Sequence, residues 1–88
     1  MSARAYLLLD IVDGESEQVA QALRHIPGVV ISDCLEGRPD VLVLVEASDR
    51  PKLAELLMPV LTASDNVTED LRLLVSRDSA IPATIFSA

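Results

Sequence analysis

The side chains able to do chemistry are few and scattered: the 88 residues hold one His, one Cys, one Tyr, one Phe and no Trp. His25 stands at the end of an apolar-periodic segment, where a positive charge meets a helix dipole favourably, and it reads as a structural residue. No His, Asp or Glu at metal-ligand spacing surrounds it, and a single Cys34 can form neither an intrachain disulfide nor a thiolate cluster. Cys34 alternates with Val30 and Ser32, has no basic neighbour in sequence to activate it, and reads as an inert packing residue. Glu69 and Asp70 fall on opposite faces of a strand, the wrong arrangement for an acid/base pair sharing one substrate. Neither a glycine-rich phosphate loop nor a Gly-x-Ser-x-Gly elbow is present. There remain Arg38 and Asp40, on either side of Pro39 in a tight link. Their guanidinium and carboxylate can engage the carboxylate and ammonium of an amino-acid zwitterion. Alternatively, Asp40 caps its own turn. A non-enzymatic protein without cofactor or metal is expected.

Composition narrows the partners. A formal charge of -7 repels phosphate backbones and anionic membranes, so neither nucleic acid nor membrane is expected as a partner. The apolar run 5–9 is interrupted by Asp10 and is followed by no small-residue cleavage site, so neither a signal peptide nor a membrane span is read there. With one cysteine, a reducing, cytoplasmic setting fits. Residues 1–78 read as a single domain and 79–88 as a tail or edge strand. A domain of this size buries only roughly 60–65% of its unfolded surface, which leaves it marginal without a partner.

The elements that must position Arg38 and Asp40 follow from periodicity. Segment 4–12 is a short apolar run closed by Asp13-Gly14, hence a strand. Val19, Leu23 and Ile26 recur at helical spacing behind an acidic first turn, and Pro27-Gly28 ends that helix. Segments 29–36 and 40–47 form a hairpin across Gly37-Arg38-Pro39. Asp49 and Pro51 start a second helix with Leu53, Leu56, Leu57, Val60 and Leu61 as its stripe, and Pro59 predicts a kink or early end near Met58. A turn at 64–66 leads to a last strand over 67–75. The fold class is α+β, ferredoxin-like βαββαβ: a four-stranded antiparallel sheet with two helices on one face, each helix joining parallel neighbours.

Alternation then decides the quaternary expectation. Leu7, Leu9 and Ile11 oppose Tyr6, Leu8 and Val12, while Val41, Val43 and Val45 oppose Leu42 and Leu44, so both sheet faces are apolar. Two helices cannot cover both. Homodimerisation by sheet-face packing is expected, with Tyr6 in that interface or lining a pocket.

Four stretches, 5–11, 23–29, 37–47 and 66–75, carry Ala-Tyr-Leu-Leu-Leu-Asp-Ile, Leu-Arg-His-Ile-Pro-Gly-Val, Gly-Arg-Pro-Asp followed by an apolar strand ending Glu-Ala, and Asn-Val-Thr-Glu-Asp-Leu-Arg-Leu-Leu-Val. This pattern resembles the effector-binding domain of the Lrp/AsnC transcription regulators, in its stand-alone form without a helix-turn-helix. The resemblance implies a dimeric α/β-barrel assembly, often a larger oligomer, binding amino acids or similar effectors between subunits. It places Gly37, Arg38, Pro39 and Asp40 at the ligand cleft with Thr68 to Asp70 nearby. Pro39 stands where the family often has an aromatic residue, and Ser64-Asp65-Asn66-Val67 replaces a second Pro-Gly-Val turn. Other holders of this topology are small dimeric α/β-barrel enzymes, which need more His or aromatic residues than this chain has, and detached ACT-like regulatory domains, which pair sheets side by side.

Overall fold

In the computed structural model, which describes residues 2–76, the first strand β1 (Ala3–Ile11) runs through the middle of the sheet. Its odd-numbered residues Ala5, Leu7, Leu9 and Ile11 are wholly buried, while its even-numbered residues are half-exposed, as a period of two requires. The third strand, β3 (Val41–Ala47), repeats the alternation with Val41, Val43 and Val45 and pairs with β1 so that Leu7 faces Val43. Outside these lie β2 (Val29–Cys34), next to β3, and β4 (Thr68–Val75), next to β1, which gives the order β2-β3-β1-β4 with every pairing antiparallel. With helices α1 (Ser16–Arg24) and α2 (Arg50–Ser64) between strands, the chain is an α+β, ferredoxin-like βαββαβ domain.

Both helices cover the face of the odd-numbered β1 residues. Val19, Ala20 and Leu23 of α1 and Leu53, Leu57 and Val60 of α2 join the β1 and β3 side chains in one core. Ser32, buried on β2, donates its hydroxyl to the carbonyl of Ala20 at 2.8 Å, so this buried polar side chain between β2 and α1 is satisfied. Each helix joins parallel strands, but these are not neighbours: β3 lies between β1 and β2, and β1 lies between β3 and β4. That corrects the expected adjacency, and it is what makes every adjacent pair antiparallel.

Two further expectations change. The second helix passes through Pro59 and ends at Ser64 rather than near Met58. Pro59 and Glu55 are both exposed, so the carbonyl left without its helical donor lies on the solvent side, while Leu57 and Val60 anchor the other side. The Asp49 carboxylate accepts from the Lys52 backbone N–H at 2.8 Å, capping the start as expected. Cys34 shares the helix side with Ser32 but is exposed, so it does not pack as expected. Val30 is the extra residue of a register shift in β2.

The opposite face carries no helix among the described residues. One cross-strand row holds Ile31, Leu44, Tyr6 and Leu74, and the next holds Asp33, Leu42, Leu8 and Arg72. Ile31 is 40% and Leu74 49% exposed. Leu71, Leu73 and Val75 of β4 point to the helix side, yet α2 lies over β3 and β1 and leaves them exposed as well. No helix among the described residues is long and apolar enough to cross a membrane. Residues 79–88, expected as a tail or edge strand, lie outside the described residues.

Gly28 ends the α1 turn with φ +92°, and a Cβ built there would stand 2.6 Å from Leu56 Cδ1; Gly14, with φ +86°, has open space around it. Gly14→Ala is therefore expected to cost about 1–2 kcal/mol from backbone strain alone. Gly28→Ala should cost about 1–3 kcal/mol more through overpacking. Urea unfolding of both variants checks this, and equal losses would show that Leu56 yields freely.

Candidate functional site

The corner where the β2–β3 link meets the end of β1 is tied together by Asp40. Its backbone N–H donates to the Leu9 carbonyl at 2.8 Å, its carbonyl accepts from the Leu35 N–H at 2.6 Å, and its Oδ2 accepts from the Ile11 N–H at 3.2 Å. The carboxylate therefore does not cap its own turn; it fastens the hairpin to β1. Gly37 supplies a positive φ of +87° in this link, and the Arg38–Pro39 peptide is cis.

Arg38 lies among three carboxylates. Its Nη1 is 3.4 Å from Asp40 Oδ2 and 3.3 Å from Glu69 Oε1, and its Nη2 is 3.5 Å from Asp13 Oδ1. The same Nη1 donates to the Ile11 carbonyl at 3.3 Å. Glu69 reaches this corner because β4 carries a bulge: Asp10 faces Asp70, but Ile11 faces Thr68, which leaves Glu69 as the extra residue. Simple alternation had put Glu69 and Asp70 on opposite faces. With the bulge, Glu69 pairs with Arg38 and Asp70 lines a cleft with it.

That cleft, of about 290 Å³, is lined by Leu8, Asp10, Arg38, Pro39, Asp70 and Arg72. It opens on the helix-free face, with Leu8 opposite Arg72 and Asp10 opposite Asp70. Of the residues expected at or beside the site, Arg38, Pro39 and Asp70 come together here. Asp40 stands behind them as a support with its side chain 17% exposed, and Gly37 shapes the link without approaching other atoms. Thr68 donates its hydroxyl to the Ser64 carbonyl at 2.7 Å and lines a separate, shallower groove beside Leu61 and Leu71.

Leu8, Asp10 and Arg72 were not anticipated. Asp10 had a signal, being the polar residue that interrupts the apolar run of β1. Arg72 becomes visible only with the β1–β4 register in hand. At the far end of the open face Arg4 Nε meets Glu46 Oε2 at 2.6 Å, and this hydrogen bond raises the Arg4 pKa further above its ordinary value. The open face is thus apolar at its centre and charged at both ends. Among the described residues no group of His, Cys, Asp and Glu is arranged to hold a metal ion.

No protein-family model and no curated protein matches the chain. Solved structures do. A hypothetical protein from Pyrococcus horikoshii superposes with a TM-score of 0.75 at 16% identity, covering 91% of this chain and 95% of its own. A transcriptional regulator from Neisseria meningitidis, in complex with L-Met, gives 0.65 at 16% identity, covering 89% of this chain and 51% of its own. The leucine response regulatory protein of Mycobacterium tuberculosis gives 0.63 at 23%, covering 89% and 52%. This chain therefore spans about half the length of each regulator, and at these identities the likeness is one of fold.

Asp40→Ala should lower stability by about 1–3 kcal/mol, because the Ile11 N–H loses its acceptor. Asp40→Asn, which keeps an acceptor oxygen, should cost less. Chemical denaturation checks the order of the two, and an Asn variant as unstable as the Ala variant would mean that charge toward Arg38, not the Ile11 bond, is what matters.

Proposed function

We propose that this chain is a non-enzymatic effector-binding and oligomerisation domain of Lrp/AsnC type that acts in the cytoplasm and binds a small amino-acid-like molecule in the cleft at Arg38 and Asp70. The observation that carries this reading is the composition of the cleft. Two carboxylates and two guanidiniums line it together with the apolar Leu8 and Pro39. A zwitterion needs both signs of charge, and an amino-acid side chain needs an apolar surface beside them. The L-Met complex of the Neisseria meningitidis regulator, which shares this fold, lends support to an amino acid as the class.

In this reading a second copy covers the helix-free face. Tyr6, Leu8, Leu42, Leu44, Ile31 and Leu74 form a continuous apolar surface there. Full burial of such a side chain contributes about 1.5–3 kcal/mol, so a few of them offset part of the cost of association. The cleft borders this surface, and its ligand would lie beside the subunit interface.

A thermal-shift screen with the twenty amino acids tests the ligand. At a concentration of a hundred times Kd the gain is about 2.7 kcal/mol, which for a domain of this size raises Tm by roughly 10–20 °C. No shift with any of them would sink the effector reading. Light scattering tests the assembly. The wild type should have at least a dimer's mass and Leu44→Glu a monomer's; a monomeric wild type at micromolar concentration would refute the face-to-face pairing.

A further inference from the structure

Arg38 and Arg72 both line the cleft, and either guanidinium has the chemistry to hold a carboxylate. We infer that the two have divided roles: Arg72 grips the ligand's carboxylate, and Arg38 is a positioning residue that locks the cleft wall. This rests on the effector reading above and specifies how that site tells its ligand from others.

The division follows from what surrounds each guanidinium. Arg38 meets Asp13, Asp40 and Glu69 within 3.5 Å and also donates to the Ile11 carbonyl. Three carboxylates and a carbonyl already engage this guanidinium, so a further carboxylate gains little at Arg38. Those contacts instead join the β1–α1 loop through Asp13, the hairpin through Asp40 and the start of β4 through Glu69. The Arg72 side chain has no carboxylate oxygen within 4.0 Å and makes no hydrogen bond among the described residues. Its guanidinium is left for an anion.

Its surroundings complete the head-group site. Arg72 and Asp70 lie two residues apart on the same face of β4, and Asp10 stands across from Asp70. Two residues of a strand advance about 6.8 Å at the backbone, and both side chains line the one cleft, so the carboxylate and ammonium of one amino acid can meet them together. The ammonium falls to Asp10 and Asp70, and the side chain runs along Leu8, which faces Arg72 across the ladder. The ligand class is therefore an α-amino acid with a free carboxylate, and its amide should be a poor substitute.

The test is calorimetric titration of the twenty L-amino acids, each beside its α-carboxamide (L-methionine with L-methioninamide and so on), into wild type, Arg72→Gln, Arg38→Gln and Arg38→Lys. Wild type should prefer the acid of its best pair by roughly 10–100-fold, the usual worth of a charge-assisted hydrogen bond. Arg72→Gln should lose that preference while keeping its unliganded melting temperature and its affinity for the carboxamide. Arg38→Gln should lower the unliganded melting temperature and keep the preference. Arg38→Lys retains the charge inside the ring of carboxylates and reports on binding if the Gln variant does not fold. Loss of the acid preference in an Arg38 variant with its retention in Arg72→Gln would overturn the assignment alone. A wild type that binds none of the forty compounds would overturn both the assignment and the effector reading.

Discussion

A sheet has two faces, and this chain has two helices to cover them. Both lie on one side, because each right-handed crossover from β1 to β2 and from β3 to β4 passes over the same face. The buried row of Ala5, Leu7, Leu9 and Ile11 is the result on that side. On the other side the same strand presents Tyr6 and Leu8, with Leu42 and Leu44 next to them on β3. The helix-covered core gives the domain its shape, while the uncovered face determines what the domain can do with a second surface.

The corner at Arg38 depends on that arrangement. β1 ends at Ile11 beside the hairpin, so its last N–H and carbonyl are met by side chains of the link rather than by another strand. Asp40 takes the donor and Arg38 takes the acceptor. The hairpin is thereby held against the edge of the open face, and Pro39 becomes part of the wall facing Leu8 and Arg72. A stretch of backbone that would otherwise end in unsatisfied groups thus becomes one side of a cleft.

Much of the fold was legible because strand alternation and helix stripes are local signals. Leu7, Leu9, Val43 and Val45 announced their common face, and Asp49 announced the start of α2. Pro59 misled because its cost depends on which side of the helix it occupies, and that is a tertiary fact. The neighbours of each crossover were misread because sequence order does not state which strand is inserted between two others. At the candidate site, the hairpin residues were legible as turn chemistry. Arg72 shares a face with Asp70 by plain alternation, but its place opposite Leu8 was not legible, since only the register of β4 on β1 sets it.

β4 lies at the edge of the sheet, paired along one side to β1, with side chains of both faces exposed along its length. A strand so sparsely buried opens locally at lower free energy than the core strands. Yet it supplies Asp70 and Arg72 to the cleft. Any molecule bound there also fastens the outermost strand of the sheet, so occupancy of the site and amide-exchange protection of the β4 backbone become linked quantities.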